Sequence, residues 1–262
     1  MTTELTYTRK GLPEGEPLLV LHGWGMNSSV WQTIADDLER NFQVIWLDLP
    51  GHGDNHQVHA NNLDEIIALI LPLLTQPTHI MGWSLGGLIA QGIVQQRPDL
   101  IKQVVMVAST PKFLQTEQWK NALPKDVLAA FSKGLLNDTQ GTIKRFIALQ
   151  FMGVKSSQII QRELRQAILV NLPSDDALQL GLKILQLQDF RDLQMKQGQL
   201  WVLGGKDRLI PVGIEDDLQN LYPDAQLEVI ESAGHAPFMT HPQPFIDSII
   251  KFLMIKTNHR AP

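Results

Sequence analysis

A serine stands in this chain where it could act as a nucleophile. Ser84 is the centre of the run Gly82-Trp83-Ser84-Leu85-Gly86, which fits the pattern Gly-x-Ser-x-Gly. The apolar residues 79–83 precede it as a predicted strand, and a helical pattern over residues 85–96 follows at once. Flanking glycines permit a sharp turn that holds a serine in a strained conformation with its hydroxyl exposed. A serine that only caps a helix is the alternative interpretation.

A serine hydroxyl is a weak nucleophile until a positioned base takes its proton. His235 is the candidate base among the eight histidines, because its loop directly follows the last predicted strand. His22 and His52 also follow strands, but each lies in a glycine-flanked loop where a role in shape is expected. The other five are interpreted as structural or surface residues: His56, His59, His79, His241 and His259. The alternative for His235 is a loop histidine with a purely structural hydrogen bond.

A general base of this kind needs a buried carboxylate that fixes its tautomer. Asp207 follows the predicted strand 200–203 in the run Gly204-Gly205-Lys206-Asp207. The order along the chain is then serine, aspartate, histidine, which is the order described for nucleophiles of this pattern. Asp48, at the end of the predicted strand 43–47, is the main rival.

Attack of such a nucleophile on a carbonyl carbon also needs two backbone N–H groups that stabilise the oxyanion. The N–H of Leu85 is one candidate, because it lies at the positive end of its helix. The second is the N–H of Trp24 in the loop His22-Gly23-Trp24-Gly25, which follows the predicted strand 17–21. A tight turn with a packing tryptophan is the alternative for that loop.

The elements that must position these residues alternate between strands and helices, which predicts an α/β fold with a doubly wound, mostly parallel sheet. Ligand sites in such sheets lie at the carboxyl ends of the strands. The predicted strands are residues 17–21, 43–47, 79–83, 103–107, 200–203 and 227–230, and the helices between them are 30–39, 63–74, 85–96, 211–221 and 242–254.

Between the fifth and sixth predicted strand the pattern is only helical, over residues 127–136, 142–151, 159–169 and 177–187. We therefore predict a helical cap, residues 112–190, inserted into a core formed by residues 1–111 and 191–262. Ten basic and seven acidic residues give the cap a net charge of +3, whereas the whole chain carries −5.

The amino-acid composition limits the classes of partner and site that the protein could have. The chain has 262 residues and no cysteine, which excludes disulfides and thiolate metal sites. Its net charge of −5 disfavours nucleic acid or an anionic membrane as partner. The first ten residues are polar, without the apolar centre of a signal peptide. We expect a cytoplasmic monomer that needs neither metal nor cofactor.

Four motifs together resemble the α/β-hydrolase superfamily: Leu21-His22-Gly23-Trp24-Gly25, Asp48-Leu49-Pro50-Gly51-His52-Gly53, Gly82-Trp83-Ser84-Leu85-Gly86-Gly87 and Gly234-His235-Ala236-Pro237-Phe238. The Trp24 and Trp83 variants, the run Val107-Ala108-Ser109 and the segment Arg145-Phe146-Ile147-Ala148-Leu149-Gln150 are narrower features. They resemble the pimeloyl-[acyl-carrier protein] methyl ester esterases of biotin synthesis. One departure is Asp54-Asn55 after Gly53, where these hydrolases more often have a serine.

That resemblance implies an enzyme that releases methanol from a pimeloyl methyl ester carried on acyl-carrier protein. It implies substrate contacts at Trp24, Ser84, Leu85 and His235 and along the cap run Phe146, Ile147, Ala148, Leu149 and Gln150. A basic cap on an acidic body also fits docking of the acidic carrier, with these candidate residues: Lys144, Arg145, Arg162 and Arg165. An ordinary solvated face is the alternative for those charges, and cap packing is the alternative for Phe146, Leu149 and Gln150.

Two other functions stay open from the sequence. One is another hydrolase on the same scaffold, such as a broad carboxylesterase, a lactonase or a carbon–carbon bond hydrolase. The other is a non-catalytic binding protein, which the presence of all three candidate triad residues disfavours. Fold alone does not choose among these chemistries.

Overall fold

One seven-stranded sheet forms the centre of the part of the chain that the computed structural model describes, residues 4–154 and 158–255. His259, considered above, and Lys155, one of the ten basic residues of the predicted cap, lie outside these residues. The strand order is β1-β3-β2-β4-β5-β6-β7, and every neighbouring pair is parallel except β1 with β3. The strands are β1 (Tyr7–Gly11), β2 (Pro17–Leu21), β3 (Gln43–Leu47), β4 (Thr78–Trp83), β5 (Ile101–Val107), β6 (Gly198–Gly204) and β7 (Gln226–Ile230).

The central strands are buried along their whole length. Every residue of β2 and β4 is buried, as expected for strands with helices on both faces. The edge strand β1 was not predicted from the sequence, because its residues (YTRKG) are polar and mostly exposed. It is the one antiparallel strand of this sheet and pairs with β3 in the register Tyr7↔Leu47 to Gly11↔Gln43.

The helices of the described chain lie between and after these strands. They are α1 (Ala35–Glu39), α2 (Leu63–Ile70), α3 (Leu85–Gln96), α4 (Lys125–Asn137), α5 (Thr139–Gln150), α6 (Gln158–Val170), α7 (Asp175–Leu187), α8 (Ile214–Leu221), α9 (Pro237–Thr240) and α10 (Pro242–Leu253). None of the helices within residues 4–154 and 158–255 is long and apolar enough to cross a membrane.

The prediction of one helix over residues 30–39 was wrong. The segment divides into a 3₁₀ turn at Ser28–Trp31 and the short helix α1, and Ile34 between them has non-helical angles. Tertiary contacts explain the break. Trp31 packs on Phe238 with ring centroids 4.2 Å apart, and the hydroxyl of Thr33 donates to the carbonyl oxygen of Phe238 at 3.0 Å.

Several helix ends also differ from prediction, among them those of α2 and α8. Residues 63–74 form α2 only as far as Ile70, and Leu71–Leu73 continue as a 3₁₀ turn. Pro72 lies in that turn and lacks an N–H group, so it cannot continue the α-helix. The helix predicted from residue 211 begins at Ile214.

Helices α4 to α7 lie between β5 and β6 in the chain and reach back over the carboxyl ends of other strands. The indole N–H of Trp24, in the loop after β2, donates to the carbonyl oxygen of Leu178 in α7 at 2.8 Å. An added Cβ at Gly181 of α7 would lie 2.5 Å from the Trp24 ring and 3.1 Å from Leu85. Helix α7 therefore covers the loop after β2 and the start of α3.

Candidate active site

Ser84 lies in a strained turn between β4 and α3. Its φ is 54° and its ψ is −114°, a conformation that side-chain-bearing residues rarely adopt. The two glycines of the motif are required by close backbone approach. A Cβ on Gly82 would lie 2.4 Å from the carbonyl oxygen of Gly86, and a Cβ on Gly86 would lie 2.4 Å from that of Leu21.

Hydrogen bonds from α3 and from the end of β5 and the residues after it hold this turn. The N–H of Ser84 donates to Val107 at 2.9 Å, and the carbonyl oxygen of Ser84 accepts from the N–H of Gly87 at 3.0 Å. The Ser109 hydroxyl donates to that same oxygen at 2.8 Å. Sequence reasoning gave Ser109 no such role, because a contact across two strands leaves no local signal.

His235 and Asp207 form a buried pair beside this turn. Nδ1 of His235 donates to Oδ2 of Asp207 at 2.7 Å, and both side chains are 1% exposed. The other carboxylate oxygen of Asp207 accepts the N–H groups of Leu209 at 2.7 Å and Ile210 at 3.0 Å. A carboxylate so engaged can only accept, so Nδ1 of His235 carries the proton and Nε2 is left as an acceptor.

Nε2 of His235 has no hydrogen-bond partner among the described residues. No bond to Ser84 is formed, although Ser84 is buried. Hydrogen bonds between base and nucleophile are often absent without substrate and form in the complex. The loop of His235 is held by Trp83, whose indole N–H donates to the carbonyl oxygen of His235 at 2.7 Å.

Asp48, the rival acid, is engaged elsewhere. Its carboxylate accepts the N–H groups of Ser28 at 2.6 Å and Asp54 at 2.9 Å. Burial would raise the pKa of Asp48, but nearby His22 and these two N–H groups hold it below its usual value. Asp48 thus joins two loops, and none of its recorded hydrogen bonds reaches His235.

His22 and His52 lie together in the loops after β2 and β3, with ring centroids 5.0 Å apart. Nε2 of His22 accepts the N–H of Leu49 at 3.0 Å, and its Nδ1 donates to the carbonyl oxygen of Gly23 at 2.9 Å. Burial lowers the pKa of His22. Burial, followed by the nearby His22, lowers the pKa of His52 to about 3, so both rings are neutral at pH 7.

The two candidate oxyanion donors, the N–H groups of Leu85 and Trp24, make no recorded hydrogen bond within the described residues. Leu85 is the first residue of α3, where an N–H has no partner within the helix. The N–H of Trp24 makes no backbone hydrogen bond among those of the described chain. The Trp24 side chain is fixed by its bond to Leu178 and by the ring of Phe146, whose centroid is 4.8 Å away.

Helix α5 contacts the loop of His235 directly. The N–H of His235 donates to the carbonyl oxygen of Gln150 at 3.1 Å. Along the run 146–150, Phe146, Ile147 and Gln150 are buried, Leu149 is partly buried and Ala148 is exposed. The predicted contact residues therefore do not all share one environment, since Ala148 faces solvent.

The basic candidates lie on α5 and its neighbour α6. Arg145 and Arg162 are exposed, whereas Lys144 and Arg165 are partly buried. Within the described residues none of the four forms a salt bridge. Arg145 donates to the hydroxyl of Thr142 at 2.7 Å and lines a mostly apolar groove of about 500 Å³ between α4 and α5.

Comparison with known proteins identifies the family. The model of the α/β-hydrolase fold family matches residues 16–242. The chain belongs to the α/β-hydrolase family. The resemblance noted in the sequence and the predicted fold class are both confirmed.

No group of three or more His, Cys, Asp or Glu side chains in residues 4–154 and 158–255 is arranged to hold a metal ion.

Similar proteins have a common name. A protein of Vibrio campbellii is 38% identical over 255 residues, covering 96% of this chain and 99% of the relative. One of Vibrio cholerae is also 38% identical with the same coverage. Both are named pimeloyl-[acyl-carrier protein] methyl ester esterase.

Solved structures share the fold. An esterase of Exiguobacterium antarcticum superposes with a TM-score of 0.84 at 20% identity, covering 95% of each chain. A bromoperoxidase of Bacillus anthracis also gives 0.84 at 20% identity, covering 94% of each. At this level of identity the likeness concerns the fold alone.

Proposed function

We propose that this α/β hydrolase cleaves the methyl ester of pimeloyl-[acyl-carrier protein] in biotin synthesis. The full-length likeness to proteins named for that activity supports the substrate. The observation that supports the chemistry is the 2.7 Å bond between Nδ1 of His235 and Oδ2 of Asp207. It leaves Nε2 of the ring without a partner among the described residues and free to act as a base.

In the proposed acylation step, Ser84 Oγ attacks the ester carbonyl carbon while Nε2 of His235 accepts the hydroxyl proton. The oxyanion accepts hydrogen bonds from the N–H groups of Leu85 and Trp24. His235 then gives the proton to the leaving methoxy oxygen, and methanol departs. Asp207 holds the ring in the required tautomer and stabilises the imidazolium that forms.

In the proposed deacylation step, water attacks the carbonyl carbon of the acyl-enzyme and Nε2 of His235 accepts one of its protons. The second tetrahedral intermediate uses the same two N–H donors. Collapse returns the proton to Ser84 Oγ and releases the carboxylic acid, which then loses its proton to water. Each step balances in atoms and in charge, and neither step needs a metal or a cofactor.

For the substrate chain, we propose that residues 112–190 form a cap and that its run 146–150 forms part of the pocket ceiling. The contact of Phe146 with Trp24 and the bond from His235 to Gln150 support this placement. Exposed Ala148 contributes through its backbone or not at all.

For the partner, we propose that the carrier protein docks on the surface formed by Lys144, Arg145, Arg162 and Arg165. The absence of salt bridges from these four residues, within the described chain, leaves their charges free for an acidic partner. An acyl-carrier substrate also implies a cytoplasmic enzyme. The monomeric state expected from the sequence stays a prediction.

Genetic complementation tests the substrate. The gene should restore growth without biotin to a strain that lacks its pimeloyl ester esterase, and the Ser84→Ala variant should not. Loss of the nucleophile in a comparable triad costs roughly 10⁶-fold in kcat. Growth with the alanine variant at normal expression would contradict the nucleophile. No growth with an active wild-type esterase would contradict the substrate.

A further inference from the structure

Three buried polar atoms beside the proposed catalytic centre have no hydrogen-bond partner among the described residues. They are Nε2 of His235 and both amide atoms, Oε1 and Nε2, of Gln150. The Gln150 residue is only 1% exposed. Buried polar groups are nearly always paired with protein, ligand or ordered water, so an amide with two unpaired ends indicates a place where another molecule binds.

The position of Gln150 indicates which molecule. Gln150 is the last residue of α5 and lies one turn after Phe146, on the same helix face. Phe146 packs edge-on against Trp24, and the backbone oxygen of Gln150 accepts the N–H of His235. Side chains in a helix lean towards its N-terminus. The Gln150 side chain therefore leaves the helix at an end that contacts the loop of His235, one turn from the contact of Phe146 with Trp24.

We propose that Gln150 Oε1 binds the hydrolytic water of the deacylation step and thereby favours water over alcohol as the nucleophile. This inference rests on the acyl-enzyme mechanism of the proposed function. Water has two O–H groups. One donates its proton to Nε2 of His235 and the other donates a hydrogen bond to Oε1 of Gln150, which leaves an oxygen lone pair aimed at the acyl carbon.

Methanol differs from water at this one point. Its single O–H must donate to Nε2 of His235, so nothing remains to donate to Gln150, and its methyl group would leave the amide oxygen unpaired. An enzyme that releases methanol beside its own acyl-enzyme gains from this difference, because attack by methanol only regenerates the ester. A buried glutamine carbonyl thus discriminates against the first product.

The partition of one acyl-enzyme between the two nucleophiles tests the inference. Wild type and Gln150→Met are given p-nitrophenyl butyrate with a fixed concentration of methanol, and methyl butyrate and butyrate are quantified. Loss of one neutral hydrogen bond to water should raise the ratio of methyl butyrate to butyrate about five- to tenfold. Because the ratio is internal to each sample, a partly unfolded preparation gives the same value.

Gln91→Met is the matched control. Gln91 is also a fully buried glutamine whose Oε1 is unpaired, but its Nε2 donates to the carbonyl oxygens of Gly87 and Thr110. Its ratio should equal that of wild type. An unchanged ratio in Gln150→Met, or an equal rise in both variants, overturns the inference. A wild type that releases no p-nitrophenol overturns the ester hydrolase itself, which is a separate result.

Discussion

The indole N–H of Trp83 donates to the carbonyl oxygen of His235 at 2.7 Å. The residue before the proposed nucleophile thus holds the backbone of the proposed base, across a sequence separation of 152 residues. The two rings are also near each other, with centroids 5.8 Å apart. The end of strand β4 therefore positions both Ser84, which follows it, and the backbone of His235, which Trp83 binds.

Trp83→Phe should lower kcat about tenfold with little change in KM. Phenylalanine keeps most of the aromatic packing but leaves the oxygen of His235 unpaired, so the base is less well placed. Trp31→Phe is the matched control, because Trp31 belongs to the same aromatic cluster and its Nε1 has no partner. Steady-state kinetics on a p-nitrophenyl ester measure both. Equal losses in the two variants would mean that ring packing, not the hydrogen bond, matters.

Asp207→Asn should reduce kcat on the order of 10⁴-fold with little loss of structure, because the amide favours the wrong tautomer of His235. Asp48→Asn should act on stability instead. An asparagine can accept only through one oxygen, so either Ser28 or Asp54 loses its partner. The pair of variants is compared by kcat and by thermal unfolding. A larger kcat loss in Asp48→Asn would reverse the assignment of the acid.

Patterns that depend on local spacing were predicted well from the sequence. Helix α3 has the bounds that were expected, residues 85–96, because Ser84 and the glycines mark its start and Arg97-Pro98 follows its end. Strands β2 and β3 also match, since continuous apolar runs occur where both faces are buried.

What could not be predicted depends on contacts between distant segments. Polar β1 is a strand because β3 offers it an unpaired edge. The interruption before α1 exists because Trp31 and Thr33 contact Phe238. The bond from His235 to Gln150 joins residues far apart in the chain, and the apolar stripe on α5 alone allowed both a packing and a pocket interpretation.

Acid should destabilise the fold through its buried histidines. Burial, with the charge of nearby His22, lowers the pKa of His52 to about 3 in the folded state, against about 6.5 in the unfolded chain. The unfolded chain then binds more protons between these values, so stability is complete above about pH 6.5 and falls as the pH drops towards 3. Each full proton corresponds to about 1.4 kcal/mol per pH unit.

Urea unfolding at pH 7.5 and pH 5 measures this effect. His52→Asn should be less stable than wild type at pH 7.5 but should lose less stability between the two pH values, by roughly 2 kcal/mol. His56→Asn, a partly exposed histidine of the same loop region, is the control and should follow wild type. Parallel losses in wild type and His52→Asn would contradict the lowered pKa.

Reversal of two cap charges separates carrier recognition from chemistry. With both Arg145 and Arg162 changed to glutamate, kcat/KM for the carrier-linked methyl ester should fall about 3- to 30-fold, mainly through KM, since two exposed ion pairs contribute up to about 1 kcal/mol each. A p-nitrophenyl ester reaches Ser84 without those charges, so its kcat/KM should stay within about twofold. Wild-type activity on the carrier substrate should also fall as salt is raised, because exposed charges are screened.

A control with the same change in net charge carries Lys10→Glu and Lys251→Glu, two exposed lysines of the core. It should keep wild-type activity on both substrates, because Lys10 lies on the edge strand β1 and Lys251 on α10, away from α5 and α6. Equal losses on both substrates in the arginine variant would mean that α5 and α6 are disturbed. Equal losses in both double variants on the carrier substrate alone would assign the effect to overall charge. Only a loss confined to the arginine variant and to the carrier substrate supports docking on α5 and α6.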